Sequence, residues 1–432
     1  MRTKRLRMVM SAMLVGALAA GCSGGGQEET PQETGPVELT FWTWAPNMDK
    51  IAAVWNAAHP DIKVTVSKQA GGDEAAAKFL TAAKAGNAPD LVQAEYQMLP
   101  SFVAAEAVAD IKGEVAGVRD QFSDGIWNLV TLGTDGVYGL PQDSGPMMFY
   151  YRTDLFTKYG IAVPKTWDEY AAAARTVHAK DKTVYLGGFS SKDPGWFAGL
   201  SQQAGAKWWS ITGEAWKVGI NDDATKKVAD FWGGLAKDGV VDTQAPWTPE
   251  WNAALNGGKI MSWASAVWAP GVLSSNAPDG KGKWAIAPLP QWSAGENYSG
   301  FWGGSSIAIA EGSKHKKAAA QFASWLNTDA KALDLLIKEA AIYPAAKSGQ
   351  NLMTTAPEYF ANQADFWQQA TNIAGTARGF TFGPNVNVAY SAYKDAFDKA
   401  LQNKSSFTDA LGAMHDATVA DMKKSGSPLA SL

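Results

Sequence analysis

The sequence predicts an α/β protein with two lobes, each built on a β-sheet flanked by helices. Strand-like and helix-like segments alternate from residue 38 onward, which is typical of a parallel sheet covered by helices. The 432 residues also exceed the size that a single hydrophobic core usually serves. A Gly/Pro-rich segment at 137–146 then separates one alternating stretch from the next. We interpret this segment as a crossing between the lobes.

The N-terminus is typical of an export signal. Four basic residues precede an apolar run at Met8–Ala20, which is too short to span a bilayer. The run and the glycine before Cys22 resemble a bacterial lipoprotein signal, in which residues 1–21 are removed and Cys22 carries the lipid. Ala19 stands where the usual motif has a leucine. An ordinary cleaved signal followed by a chance cysteine is the alternative.

The segment after the signal, residues 22–36, is predicted to be a flexible tether. It is rich in Gly, Glu, Gln, Thr and Pro and has no large apolar side chain. Such a composition cannot bury enough surface to offset chain entropy. The folded body should therefore begin near Val37, held at the outer face of the cell membrane by the lipid on Cys22.

Five elements are predicted before the crossing. A strand at 38–43 is followed by a helix at 47–59 with apolar residues at helical spacing, and Pro60 ends this helix. Next come a strand at 62–66, an Ala-rich helix at 73–85 and a strand at 91–94. Binding sites in such sheets lie at the carboxyl ends of the strands. Residues 42–46 and 93–97 occupy those ends here.

The alternation continues after the crossing. Thr166 and Glu169 have the spacing of a capping box, which predicts a helix from there to about Ala179. Further strands are predicted at 147–151, 184–189, 259–263, 283–286 and 305–310, and further helices at 196–204, 224–237 and 313–327. The remainder of the chain is predicted to be mostly helical.

Charge and motif content exclude several functions. Removing the four basic residues ahead of Cys22 takes the formal net charge from −4 to −8, which disfavours nucleic acid and anionic membranes as partners. The four histidines are scattered without metal-ligand spacing, and no dinucleotide or phosphate-loop fingerprint occurs. We therefore expect no cofactor, no metal site and no nucleic-acid partner.

Tryptophan is unusually abundant, and many of the nineteen stand beside Gly, Pro or Asn in predicted loops. Loop tryptophan more often faces a ligand, although simple packing is the alternative for each one. The loop set consists of Trp42, Trp44, Trp196, Trp247, Trp251, Trp268 and Trp302. Four others have helical spacing and are expected in cores: Trp55, Trp127, Trp232 and Trp325.

Three runs around the first crossing carry a family resemblance. They are Tyr138-Gly139-Leu140-Pro141, Met148-Phe149-Tyr150-Tyr151-Arg152-Thr153-Asp154-Leu155-Phe156 and Pro164-Lys165-Thr166-Trp167-Asp168-Glu169. Together they resemble the hallmark segment of bacterial ABC-importer solute-binding proteins, in the carbohydrate-binding group that includes maltose-binding protein. Arg152 stands where this family usually has asparagine. Further landmarks in the family's order lie at Asp90-Leu91-Val92, Met261–Pro270 and Gly300-Phe301-Trp302-Gly303-Gly304.

The resemblance implies a periplasmic-binding-protein-like fold of type II, in which two lobes close over a solute and the closed form is recognised by an ABC permease. It places the first lobe at 37–142 and 300–344 and the second at 143–299 and 345–432. Chain crossings would fall near Gln142–Gly145, Asn297–Gly300 and Tyr343–Lys347. A monomer is expected.

The resemblance also implies which residues line the cleft. Matching positions in the first lobe and the first crossing are Trp42, Trp44, Asn47, Glu95, Gln97 and Asp143. Matching positions beyond it are Asp193, Trp196, Trp263, Trp268, Trp302, Gly303 and Tyr390, with Phe382 competing for the last place. Ala94 stands where some relatives carry a stacking aromatic residue.

These residue types suit a neutral sugar. A pyranose offers its C–H face to an aromatic ring and its hydroxyls to Asp, Glu, Gln and Asn side chains. The number of tryptophans favours an oligosaccharide over a single sugar. We therefore predict a non-enzymatic lipoprotein that captures a neutral oligosaccharide by closing its lobes.

Two other functions remain as alternatives. A secreted glycoside hydrolase would use a carboxylate pair such as Asp143 and Asp193. A binding protein for a non-sugar solute, such as a polyamine or a glycerophosphodiester, would need a cluster of cleft acids or of basic residues.

Overall fold

The computed structural model describes residues 36–69, 71–213 and 215–430. The predicted signal, Cys22 and the tether up to residue 35 lie outside these residues.

The described residues form ten strands and seventeen α-helices. The strands are β1 (Val37–Thr43), β2 (Ile62–Lys68), β3 (Leu91–Glu95), β4 (Leu140–Pro141), β5 (Met147–Arg152), β6 (Trp209–Thr212), β7 (Ala215–Val218), β8 (Ser262–Ala266), β9 (Trp284–Ala287) and β10 (Ser305–Ile309). The first eight helices are α1 (Met48–Ala58), α2 (Gly72–Lys84), α3 (Leu99–Ala104), α4 (Lys112–Val115), α5 (Asp124–Thr131), α6 (Thr153–Tyr159), α7 (Trp167–Lys180) and α8 (Pro194–Ala204). The others are α9 (Asp223–Lys237), α10 (Pro249–Asn256), α11 (Ala269–Asn276), α12 (Lys316–Thr328), α13 (Ala330–Ala340), α14 (Lys347–Gln350), α15 (Phe366–Ala374), α16 (Val386–Leu401) and α17 (Phe407–Lys424).

The first sheet has five strands in the order β2-β1-β3-β10-β4. β1 pairs in parallel with β2 and β3, and β10 runs antiparallel between β3 and β4. The predicted alternation from β1 to β3 is confirmed, with small shifts at the element ends. The carboxyl ends of β1 and β3 therefore meet the start of β10 at one edge of this sheet.

The second sheet has three strands in the order β8-β5-β9, and β5 is antiparallel to both neighbours. Helix α15 packs on β5 and β9, and the paired helices α16 and α17 pack on α8 and α9. Strands β6 and β7 form a separate hairpin. The chain thus builds two sheets, each covered by helices, as the predicted fold class requires.

Helical periodicity located the core correctly in α1. Its buried residues are Met48, Ile51, Ala52 and Trp55, which recur at helical spacing. Trp55 and Trp232 are buried, as predicted. Trp127 and Trp325 are half-buried and pack against the core from its margin.

Three connecting segments between the sheets lie side by side. The first joins β4 to β5, the second joins β9 to β10, and the third follows α13. The backbone N–H of Trp302 donates to the carbonyl oxygen of Gly145 at 2.8 Å, which links the second segment to the first. Ala345 N donates to the carbonyl oxygen of Gln142 at 3.0 Å and links the third to the first.

Residues 184–189 do not form the predicted strand and make only isolated bridges to neighbouring segments. Ser262 Oγ donates to the carbonyl oxygen of Leu186 at 2.6 Å. A side chain therefore satisfies this carbonyl group, which would accept from a backbone N–H in a regular sheet. A Cβ at Gly188 would lie 2.9 Å from the carbonyl oxygen of Asp242. The prediction was wrong because the apolar pattern did not reveal this close approach.

Two smaller differences concern element position. The strand predicted at 259–263 lies instead at Ser262–Ala266, and the hairpin of β6 and β7 was not predicted. Thr166 caps α7 as expected, since its side chain accepts from Glu169 N at 3.2 Å. The Glu169 carboxylate accepts from Lys165 N rather than from Thr166 N, so the capping box is only half formed. No helix within the described residues is both long and apolar enough to cross a membrane.

Candidate ligand-binding cavity

A cavity of about 430 Å³, the main cavity, lies at the edge where β1, β3 and β10 meet. Its walls come from the first sheet, from the connecting segments and from loops around the second sheet. It is lined by Trp44, Glu95, Asp143, Lys192, Asp193, Trp247, Trp268, Trp302, Gly303, Gly304 and Ser305. The volume falls within the range of about 300–1,000 Å³ found for small-molecule sites.

A chain of hydrogen bonds holds the first-sheet wall. Thr43 Oγ1 donates to Gln93 Oε1 at 2.5 Å, and Gln93 Nε2 donates to Ser305 Oγ at 2.9 Å. Ser305 Oγ in turn donates to Asp143 Oδ1. Because three of the four residues are buried and each bond polarises the next, the chain fixes the ends of β1, β3 and β10 against the first connecting segment.

Glu95 and Asp143 present carboxylates from this wall. Gln97 Nε2 donates to Glu95 Oε2 at 2.6 Å and thereby orients that carboxylate. Burial raises the pKa of Asp143 to about 6, even though its hydrogen bonds with Ser305 act in the opposite direction. Both side chains are suited to accept hydrogen bonds from hydroxyl groups.

Asp193 presents a third carboxylate to the cavity, from the start of α8. It is the N-cap of α8, and its Oδ1 accepts from Trp196 N at 3.0 Å. Within the described residues, no hydrogen bond reaches its Oδ2. Burial raises the pKa of Asp193 to about 7. Lys192 beside it forms an ion pair with Asp398 at 3.1 Å.

Five tryptophans form a continuous aromatic cluster beside the main cavity, here named the tryptophan wall. Its members are Trp247, Trp251, Trp263, Trp268 and Trp302. The ring centroids of Trp268 and Trp302 are 4.7 Å apart, with a tilt of 68° between the ring planes. Such edge-to-face contacts stabilise the wall beyond the effect of area burial alone.

Trp247 is the most exposed member of the tryptophan wall and has an unusual backbone. Its side chain is 49% exposed, and its φ angle is +71°. A bulky residue at positive φ is a strained outlier. Thr248 holds the turn, because its Oγ1 donates to Ala245 O at 3.0 Å and its side chain also caps α10. The strain is therefore maintained by the surrounding loop.

The structure brings together seven of the residues named from the sequence. Trp44, Glu95, Asp143, Asp193, Trp268, Trp302 and Gly303 all line the main cavity. Trp196 and Trp263 line a second, smaller cavity next to it. Gln97 lies behind Glu95, as described above.

Three other residues named from the sequence have different surroundings. Trp42 is half-buried in β1, with the Lys78 ammonium 4.8 Å from its ring centroid. The side chain of Asn47 donates to the carbonyl oxygen of Glu339 at 2.8 Å and so ties the start of α1 to the end of α13. Tyr390 is buried in α16 and is not among the residues lining either cavity.

Four lining residues were not named as site residues from the sequence: Lys192, Trp247, Gly304 and Ser305. Trp247 is one of the tryptophans in predicted loops, so the sequence did indicate that it could face a ligand. Gly304 has φ +95°, and a Cβ there would lie 2.8 Å from the ring of Tyr96. Ser305 gave no local signal, because its role depends on long-range partners.

A cavity that is lined by one helix-covered sheet, by two of the connecting segments and by loops around a second helix-covered sheet defines a two-lobed binding protein. The chain belongs to the bacterial extracellular solute-binding protein family, whose model matches residues 42–333. The predicted fold class and family are thereby confirmed.

Two relatives of the chain are named as binding proteins for sugars. It is 27% identical over 326 residues to an arabinooligosaccharide-binding protein of Bacillus subtilis (strain 168), covering 72% of this chain and 73% of the relative. It is 26% identical over 393 residues to a lactose-binding protein of Rhizobium radiobacter, covering 84% and 86%.

Solved structures of the family have the same architecture. The galacto-N-biose/lacto-N-biose I-binding protein of the ABC transporter from Bifidobacterium longum, in complex with lacto-N-biose, matches with a TM-score of 0.81 and 28% identity. That match covers 92% of this chain and 100% of the other.

Proposed function

We propose that this protein captures a neutral oligosaccharide in the main cavity and delivers it to the permease of an ABC importer. The observation that carries the proposal is the pairing of a tryptophan wall with three carboxylates, Glu95, Asp143 and Asp193, around one cavity. Indole rings cover the apolar face of a pyranose, and carboxylates accept hydrogen bonds from its hydroxyls. The names of the relatives support the same ligand class.

The contacts that this cavity offers can supply the free energy that micromolar sugar binding requires. Micromolar binding requires about 8 kcal/mol. An aromatic contact contributes about 0.5–1.5 kcal/mol, and a hydrogen bond to a charged group contributes about 1.5–3 kcal/mol. Several contacts of each kind are needed once ordering costs are subtracted. A ligand of two or more sugar units reaches more of these groups than a monosaccharide does.

Lobe closure is the proposed means of capture. We place the first lobe at 37–142 and 300–344 and the second at 143–299 and 345–432, because these ranges keep each sheet whole. The connecting segments between them would act as the hinge. A sugar that contacts both lobes only when they meet would shift the population toward the closed form, which the permease would recognise.

We further propose that the protein acts as a monomeric lipoprotein anchored through Cys22, with no catalytic activity. Asp143 accepts from Ser305, and Asp193 caps α8, so both carboxylates have structural roles that do not require a hydrolytic pair. Partition of wild-type protein, but not of Cys22→Ser, into the detergent phase would support the anchor. Release of reducing sugar by the purified protein would contradict the non-enzymatic assignment.

The experiment that tests the ligand class is a thermal-shift screen of the mature chain against neutral oligosaccharides, monosaccharides, polyamines and glycerophosphodiesters. A ligand at 100 times its Kd should stabilise the protein by about 2.7 kcal/mol. We expect the largest shift from an oligosaccharide, confirmed by calorimetry. Stabilisation by a polyamine or a phosphodiester alone would contradict the proposal.

A further inference from the structure

A second cavity of about 40 Å³, here named the side cavity, adjoins the main cavity. Asp193 and Trp302 belong to the walls of both. The remaining lining residues include Ser190, Trp196, Asp242, Gln244, Trp251, Ser262 and Trp263. Since one water occupies about 10–15 Å³ on this measure, the side cavity has room for about three waters or a short branch of a ligand.

The walls of the side cavity are apolar on one side. The rings of Trp251 and Trp263 are 5.1 Å apart and nearly perpendicular, and the ring of Trp196 is buried. Indole surface in such an enclosed space is suited to a methylene group, because both surfaces are withdrawn from water together.

The polar groups of the side cavity include both donors and acceptors. The amide of Gln244 already donates to both oxygens of Asp242, at 3.0 and 2.9 Å. The indole N–H of Trp196 donates to Ala264 O at 2.8 Å, and the hydroxyl of Ser262 donates to Leu186 O. These three donors are engaged with the protein. Among the described residues, no hydrogen bond is donated by the Ser190 hydroxyl or by the indole N–H groups of Trp251, Trp263 and Trp302, and none reaches Asp193 Oδ2. The side cavity therefore suits a hydroxyl group, which can both donate and accept.

We infer that the side cavity receives the exocyclic hydroxymethyl group of a hexopyranose whose ring lies in the main cavity. The methylene would pack on the indole rings, and the primary hydroxyl would donate to Asp193. This inference rests on the proposed function and specifies hexose rather than pentose units at this position.

Matched sugars test the inference on the unmodified protein. The probes are lactose, cellobiose and lacto-N-biose, each paired with an analogue in which hydrogen replaces the hydroxymethyl group of the non-reducing unit. We expect the hydroxymethyl member of a pair to bind at least about tenfold more tightly, since one group in a fitted pocket gives about 10–200-fold discrimination. Equal affinities within a pair would overturn the inference.

The outcome is separable from failure of the proposed function. Binding of pentose glycans such as xylobiose, with none of the hexose probes bound, would show that the inference is wrong and leave the proposed function intact. Failure of every sugar to bind would contradict both.

A variant pair locates the effect in the side cavity. Ser190→Thr adds one methyl group to the cavity wall and retains the hydroxyl that accepts from Lys192 N at 3.0 Å. Ser191→Thr is the matched control, because Ser191 is buried next to it, donates to Asp398 and does not line the cavity. We expect Ser190→Thr to weaken the hydroxymethyl sugar about tenfold and to leave its analogue unchanged. If both sugars weakened equally, the hydroxymethyl group would not lie there. If Ser190→Thr failed to fold, the matched sugars would still decide.

Discussion

The indole Nε1 of Trp268 donates a 3.0 Å hydrogen bond to the backbone carbonyl oxygen of Trp302. The backbone N–H of Trp302 donates in turn to the carbonyl oxygen of Gly145 in the first connecting segment. The tryptophan wall is therefore bonded directly to the segments that join the two sheets. A ligand that displaces the Trp268 ring acts on the proposed hinge through one hydrogen bond.

Trp268→Phe keeps an aromatic ring and removes the N–H donor. We expect the free energy of unfolding to fall by about 0.5–1.5 kcal/mol, the usual net contribution of one hydrogen bond, and the sugar affinity to fall with it. Urea denaturation and calorimetry measure the two effects. Trp325→Phe is the control, since Trp325 is half-buried on α12 against Trp55 and Phe322. Equal sugar affinity in both variants would remove Trp268 from the binding surface.

Trp247 combines a strained backbone with an exposed ring. Substitutions at this position should therefore change the free energy of unfolding and the sugar affinity independently. Trp247→Gly relieves the positive φ and should be about 1 kcal/mol more stable to unfolding than Trp247→Ala. Both variants remove the ring and should lose similar sugar affinity. Paired urea denaturation and calorimetry test this, and wild-type affinity in either variant would show that the ring does not contact the ligand.

Asp193 should make stability depend on pH in a definite direction. Burial raises its pKa to about 7 in the folded protein from an ordinary value of 3.8, so between these pH values the folded state binds the proton more tightly than the unfolded state does. The contribution of Asp193 protonation to the free energy of unfolding is complete below about pH 4 and is lost as the pH rises through about 7. Asp193→Asn keeps an N-cap oxygen and removes this titration. We expect its free energy of unfolding to fall less than that of wild type as the pH is raised from about 4 to about 8.

Asp143 titrates in the same direction, over the narrower range up to about pH 6, and it is unchanged in Asp193→Asn. The difference between wild type and variant therefore isolates Asp193. Parallel pH profiles of unfolding for the two proteins would contradict the assigned burial.

The elements near the N-terminus of the folded body were predictable because their patterns are local. Trp55 recurs with Met48 and Ile51 at helical spacing, and only one face of α1 can then enter the core. Motif matching likewise placed Trp44 and Asp193 in one cavity, since both follow recognisable landmarks. Local spacing and motif order are properties that a single sequence carries.

Other features of the fold and of the cavity could not be predicted, because they depend on contacts between residues that are distant in the sequence. Trp42 and Trp44 are two residues apart, yet Trp42 lies within β1 beneath Lys78 and only Trp44 reaches the cavity, because the strand ends between them. Asn47 bonds to Glu339, which is 292 residues away in the chain. No local pattern reports such a partner, so its assignment to the cleft could be examined only in three dimensions.

Ser305 is predicted to be the member of the first-sheet wall most sensitive to substitution. Ser305→Ala leaves Gln93 Nε2 without its acceptor and Asp143 Oδ1 without its donor, and an unsatisfied buried group costs about 1–3 kcal/mol. We expect lower stability to urea and weaker sugar binding. Ser306→Ala is the matched control, because the buried hydroxyl of Ser306 makes only a 3.4 Å contact to Ala94 O. Similar losses in the two variants would argue against the chain of hydrogen bonds.

Gly145 is required by the close approach of two connecting segments. A Cβ at this position would lie 2.2 Å from the carbonyl oxygen of Trp302, which is too short for any real contact. Gly145→Ala should therefore separate the segments, break the bond from Trp302 N, and lower both the stability and the sugar affinity. Gly234→Ala is the control of opposite sign, since open space surrounds that position in α9 and alanine should stabilise a helix by about 0.5–1 kcal/mol. If Gly145→Ala matched Gly234→Ala in urea denaturation and in calorimetry, the connecting segments would not need this contact for folding or for binding.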